Sequence, residues 1–146
     1  MKKVKVYLDN CCFNRPYDNQ SNLLVSLETE AKLFVQDLIL KGELKLIWSF
    51  VLDFENNDNP YKERRDRISA WKSYSIIDCD LCDEISDKAK NLMEFGLKQK
   101  DAAHIACAIY ANADYFLTTD KKILNKPVSK IKLINPIEFV RRYLDE

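Results

Sequence analysis

The sequence predicts an α/β domain: a mainly parallel sheet covered on both faces by helices. Three observations carry that prediction. Short apolar runs alternate with longer stretches whose apolar residues recur every three or four positions, the pattern of successive βαβ units. Hydrophobic residues make up 47% of 146 positions, enough for one core, and no repeat or linker interrupts them, so residues 1–146 read as one domain. Two glycines and four prolines are too few for a disordered or loop-dominated chain.

Val4-Lys5-Val6-Tyr7-Leu8 alternates apolar and polar residues and predicts the first strand. The polar segment from Asn10 to Ser21, which holds Asn14-Arg15-Pro16, reads as a loop. From Asn22 to Leu40, the apolar positions Leu23, Leu27, Ala31, Phe34 and Leu38 predict a long amphipathic helix, and Gly42 stands where helices end. Leu44 to Trp48 predicts the second strand, and Ser49 suits the N-cap of the helix that follows. The breakers Asn56-Asn57-Asp58-Asn59-Pro60 stop that helix. Tyr61 to Tyr74 reads as a charged helix, Ser75-Ile76-Ile77 as the third strand, and Asp80 to Phe95 as a helix closed by Gly96. Asp101 opens an alanine-rich helix that reaches Tyr110 and is small enough to approach a neighbouring backbone. Asp114 to Thr119 and Ile131 to Ile134 are the fourth and fifth strands, and Pro136 takes the first turn of a final helix.

Bulk properties narrow the class of function. No apolar run approaches the length of a membrane span. Met1-Lys2-Lys3-Val4 leads straight into the first strand without the apolar stretch of a signal peptide, so a cytoplasmic protein without a membrane partner is expected. Five cysteines are an odd number without disulfide spacing, in keeping with a reducing compartment. Cys79-Asp80-Leu81-Cys82 has the spacing of half a zinc site, but there is no second such pair and His104 is the only histidine; packed, reduced thiols are the better reading. The formal charge is zero, so no global basic field announces a nucleic-acid binder, and any basic contact surface must be local.

Four acids carry the chemistry. Asp9 directly follows the first strand and Asp120 the fourth, which sets both at the carboxyl edge of a parallel sheet, where open α/β folds hold their sites. Asp101 begins a helix, and Glu55 lies on the helix capped by Ser49. Asp53 is on the same helix but about 200° away from Glu55, so the two do not share a face. Each acid also has an ordinary explanation: Asp9-Asn10 as a turn, Asp101 and Asp120 as caps, Glu55 as a solvated side chain. Asn10 is placed to orient Asp9 or a metal-bound water, and Thr118 to support such a water. His104, three residues past Asp101, lies nearly above it on one helix face, within reach of Asp101 or of a substrate. Four carboxylates drawn together repel one another, and hard divalent cations with oxygen ligands relieve that repulsion. Such a site activates water for attack on a phosphodiester.

The order Asp9, Ser49 with Glu55, Asp101-Ala102-Ala103-His104-Ile105-Ala106 and Thr118-Thr119-Asp120 resembles the PIN-domain family over Val4 to about Leu133. The stretch Tyr7-Leu8-Asp9-Asn10-Cys11-Cys12-Phe13-Asn14-Arg15-Pro16 is similar to a bacterial subgroup of it, related to VapC-type toxins. The resemblance implies a three-layer α/β/α sandwich and Mg²⁺- or Mn²⁺-dependent hydrolysis of single-stranded RNA. It implies Asp9, Glu55, Asp101 and Asp120 as the metal-binding catalytic acids. Many such proteins are toxins paired with an antitoxin protein, and many are homodimers. Basic residues flanking the acids, Arg15, Lys98, Lys100, Lys121, Lys122 and Lys126, are candidates for the substrate backbone. A phosphatase of the haloacid-dehalogenase type is disfavoured, because the second aspartate it needs is Cys11 here. A non-catalytic RNA-binding or regulatory module on the same fold is the remaining alternative.

Overall fold

A computed structural model describes residues 3–145; Met1, Lys2 and Glu146 lie outside it. Five strands, β1 (Val4–Leu8), β2 (Leu44–Ser49), β3 (Ser75–Cys79), β4 (Tyr115–Leu117) and β5 (Lys132–Ile134), form one all-parallel sheet in the order β3-β2-β1-β4-β5. Among the described residues eight α-helices flank it: α1 (Asn10–Asn14), α2 (Leu23–Leu40), α3 (Phe50–Asn57), α4 (Lys62–Ser69), α5 (Asp83–Met93), α6 (Gln99–Tyr110), α7 (Lys121–Leu124) and α8 (Pro136–Asp145). Helix α2 packs with α8 and α5 with α6, giving the three-layer α/β/α arrangement. None of these helices is long and apolar enough to cross a membrane.

The central strands are covered on both faces and are largely apolar, whereas the edge strands β3 and β5 keep exposed positions. Val6, Leu8, Leu46, Ile47, Phe116 and Leu117 are all fully buried in a single hydrophobic cluster. Trp48 sits inside it, edge-on to Phe13 with ring centroids 5.4 Å apart, and its indole N–H donates to Asp53 at 3.0 Å.

Several boundaries differ from the sequence expectation, each for a local reason. The segment from Asn10 is not a loop: Asp9 accepts a hydrogen bond from the Asn10 N–H and starts α1, which runs into a 3₁₀ turn over Arg15–Tyr17 with Pro16 in its first turn. Tyr61–Tyr74 divides into α4 and a 3₁₀ turn over Ala70–Tyr74, and the helix expected from Asp80 begins at Asp83. The inward face of α2 is also rotated from the expected one. Ala31, Val35, Leu38 and Ile39 point into the core together with Glu28, Thr29, Lys32 and Gln36, whereas Leu23 and Leu27 are exposed. Gly42 follows α2 with φ 77°, the left-handed conformation expected just past a helix end.

Candidate metal centre

Strands β1 and β4 are neighbours, and the strand order reverses between them. The crevice above the carboxyl ends at such a reversal is open, because the crossover helices leave in opposite directions. Asp9 leaves β1 at this crevice and Asp120 follows β4. Asp9 is nearly buried, and donors fix both its oxygens: Oδ1 accepts from the Asn10 N–H at 2.8 Å, and Oδ2 from the Thr118 hydroxyl at 2.8 Å and the Cys11 thiol at 3.4 Å. The Thr118 oxygen in turn accepts from the Asp120 N–H at 3.1 Å, which ties the two strand ends together. Thr118 is thus committed to Asp9, rather than standing free for a water.

Helix α3 brings Glu55 to the same crevice. Its Oε2 accepts a long bond from Asn10 Nδ2 at 3.4 Å, and its Oε1 pairs with His104 Nε2. Asp53 faces away, held by Trp48 and by Lys72 at 3.1 Å. His104, fully buried on α6, does not bond Asp101; its other nitrogen, Nδ1, meets the Tyr7 hydroxyl at 2.6 Å, and that hydroxyl meets Ser49 Oγ at 2.6 Å. Ser49 also caps α3 by accepting from the Leu52 N–H.

The direction of this chain follows from donor arithmetic. Burial pushes the Tyr7 phenol well above its ordinary pKa, so its hydroxyl keeps its proton. Burial alone would raise Glu55, but the His104 hydrogen bond, helped by the Lys100 charge and by Asn10, holds the carboxyl below its usual range. An ionised Glu55 only accepts, so His104 Nε2 must be the protonated nitrogen. The opposite neutral tautomer would set a bare lone pair against a carboxylate. Donor atoms of Asp9, Glu55 and His104 lie within 4.8 Å of one another, with Asp9 Oδ1 3.8 Å from His104 Nε2. While Nε2 donates to Glu55 it offers no lone pair, so of these three groups only the two carboxylates are free to hold a cation, and the imidazole orients one of them.

Asp101 and Asp120 stand beside that tight group and line an adjoining groove of about 400 Å³ with Lys98, Lys122 and Lys126. Asp101 is the third residue of α6, where Lys98 is the N-cap, so its position is not explained as a cap. Asp120 does cap α7, accepting from the Lys122 N–H at 2.9 Å. Burial, and then the negative charges of Asp9, Asp120 and Glu55, raise the Asp101 carboxyl above its usual range. In the metal-free protein its ionisation therefore opposes folding: stability falls as pH rises from the ordinary carboxylate value through the raised one. Asp101→Asn is expected to raise the melting temperature in EDTA at pH 7 and to remove that part of the pH dependence, which a melting series from pH 4 to 8 measures.

Arg15 is not on this rim. It pairs with the buried Glu28 at 3.1 Å and with Asp18 at 3.0 Å, and so locks the 3₁₀ turn to α2. The polar members that the sequence reading left out are Tyr7, Ser49 in its second role, and Cys11. The signal for Tyr7 was present: it precedes Asp9 by two residues on one strand and so shares its face.

No protein-family model matches the chain, and no curated protein matches it by sequence. The fold is the PIN-like three-layer α/β/α arrangement. Among solved structures it is similar to a chain of VapBC2 from Rickettsia felis, solved bound to a DNA fragment from their promoter: 15% identity, TM-score 0.64, covering 90% of this chain and 98% of that one.

Proposed function

We propose that this protein is a divalent-metal-dependent endoribonuclease that hydrolyses phosphodiester bonds of single-stranded RNA, with Asp9, Glu55, Asp101 and Asp120 as its metal-binding acids. The observation that carries the reading is the meeting of acids at the sheet reversal: Asp9 and Glu55 offer oxygens within 4.8 Å of each other, and Asp101 and Asp120 line the adjoining groove, where burial and then the charges of Asp9, Asp120 and Glu55 raise the Asp101 carboxyl. Acids so arranged gain by sharing a cation.

The donor set suits Mg²⁺ or Mn²⁺, because the groups it offers a cation are carboxylate oxygens. A bound ion supplies charge neutralisation and a water acidified for in-line attack. The chain's own residues do the rest. Thr118, Cys11 and the Asn10 backbone keep Asp9 in one orientation, and His104 with Asn10 holds Glu55. Lys98, Lys122 and Lys126 in the groove offer phosphate contacts that carry no base specificity, as suits a single-stranded substrate. The reading extends to a toxin role with an antitoxin partner, to a homodimer and to a cytoplasmic setting; the likeness to a VapBC2 chain supports the first of these as analogy.

Incubation of the purified protein with single-stranded RNA tests the proposal. Cleavage is expected with Mn²⁺ or Mg²⁺ and none with EDTA. Cleavage that persists in EDTA removes the metal from the account, and no cleavage under any condition leaves a non-catalytic RNA-binding module.

A further inference from the structure

Helices α3 and α6 line a second groove, which shares no residue with the lysine-lined one. It holds about 400 Å³, and its walls are Phe50, Val51, Phe54, Gln99, Lys100 and Ala103. Three of these residues directly precede members of the candidate site in the chain: Phe54 precedes Glu55, Lys100 precedes Asp101, and Ala103 precedes His104. Successive helical residues lie about 100° apart, so each helix turns one face to the acids and the next face to the groove. The Lys100 charge is felt at the Glu55 carboxylate, which ties the groove to the metal centre in space as well.

Phe54 is 62% exposed and stands one helical turn beyond Phe50 on the same face of α3. A single exposed phenylalanine calls for no explanation, but one that lines a groove beside a phosphodiester site does. The groove joins an aromatic and aliphatic wall to two polar groups, Gln99 and Lys100. That combination matches a nucleotide: the base has a flat face for the Phe54 ring and a polar edge for the Gln99 amide, and its phosphate suits the Lys100 ammonium. A protein partner fits less well, because a stable interface takes roughly 20–30 residues from each side. Bases inside a duplex have both faces covered by their stacked neighbours, so only an unpaired base can lie on Phe54.

We infer that this groove is a base-binding subsite for RNA: an unpaired nucleobase beside the scissile phosphate stacks on Phe54, with Lys100 on the adjoining phosphate. The inference takes its substrate from the nuclease reading, but its test needs no cleavage. Fluorescence anisotropy in EDTA compares binding of the full chain to a short single-stranded RNA and to a ribose–phosphate chain of equal length without bases. The wild type is expected to bind the RNA at least about fivefold more tightly, the low end of what one stacked base contributes. Phe54→Leu, apolar but without a ring to stack, loses that margin for the RNA and nothing for the base-free chain. Phe54→Trp regains it, and Lys100→Gln weakens both chains alike. The exposure of Phe54 lets its variants melt, and bind Mn²⁺, as the wild type does. The inference is overturned if Phe54→Leu binds the RNA as the wild type does, or if the wild type binds both chains equally. Sedimentation that shows a wild-type dimer dissociated by the Phe54 variants also overturns it, and assigns the groove to a second copy. Metal-dependent cleavage without any Phe54 effect sinks the subsite alone; Phe54-dependent binding without cleavage sinks the nuclease reading alone.

Discussion

Replacing Asp9 by Asn is expected to lower the rate of metal-dependent RNA cleavage by more than about 100-fold, the upper end of what losing a group merely adjacent to a metal ligand costs. Asp9 is the acid on which the site is centred: it leaves the middle of the sheet, is nearly buried, and has both oxygens fixed by Asn10, Thr118 and Cys11. Asn has the same shape, so the fold should survive. The change removes negative charge that raises Asp101 but sets an amide N–H₂ against the Thr118 and Cys11 donors, so the variant should melt near the wild-type temperature in EDTA. Loss of activity with unchanged folding is the expected pair of results. Equal cleavage by the variant, compared at matched concentration on one RNA, would refute the role of Asp9.

The second large effect is expected at His104. Its removal in His104→Leu takes one hydrogen bond from the Tyr7 hydroxyl, which keeps Ser49, and the stronger of two from Glu55, at about 0.5–1.5 kcal/mol for the first and about 1.5–3 kcal/mol for the second. Stability should therefore drop measurably in urea denaturation. Metal affinity should fall about 10- to 100-fold, because Glu55 is no longer held in one orientation. His104→Gln keeps an N–H near the position of Nε2 and should recover much of the metal affinity. If Leu and Gln variants bind Mn²⁺ equally, His104 is a packing residue and not a positioning one. The single histidine makes the tautomer directly observable by ¹⁵N NMR, with protonated Nε2 as the expected state.

Much of the fold and the positions of the candidate acids were legible because they rest on short-range rules. Strand runs ending in an acid, the Ser49 cap and the exclusion of Asp53 by helical angle all depend on residues a few positions apart. What escaped depends on contacts distant in sequence. Tyr7, Ser49 and His104 form one chain across separations of 42 and 97 residues, and no local pattern announces that their hydroxyls and imidazole meet. The nearness of Arg15 to Asp9 in sequence suggests a substrate contact, but the packing of α2 brings Glu28 to it instead. The rotated face of α2 shows the same limit. Leucines at helical spacing mark an apolar stripe, but what packs against each face decides which leucines are covered and which polar side chains, such as Glu28, Lys32 and Gln36, are drawn inside.

The central claim is that the acids at the sheet reversal form a divalent-metal site, and calorimetric titration of Mn²⁺ into the metal-free protein tests it most directly. The account predicts saturable binding to the wild type at pH 7, loss of at least most of that binding in Asp9→Asn, and weaker binding as pH falls and Asp101 takes up its proton. No heat of binding in the wild type, or the same isotherm for the wild type and Asp9→Asn, would contradict it.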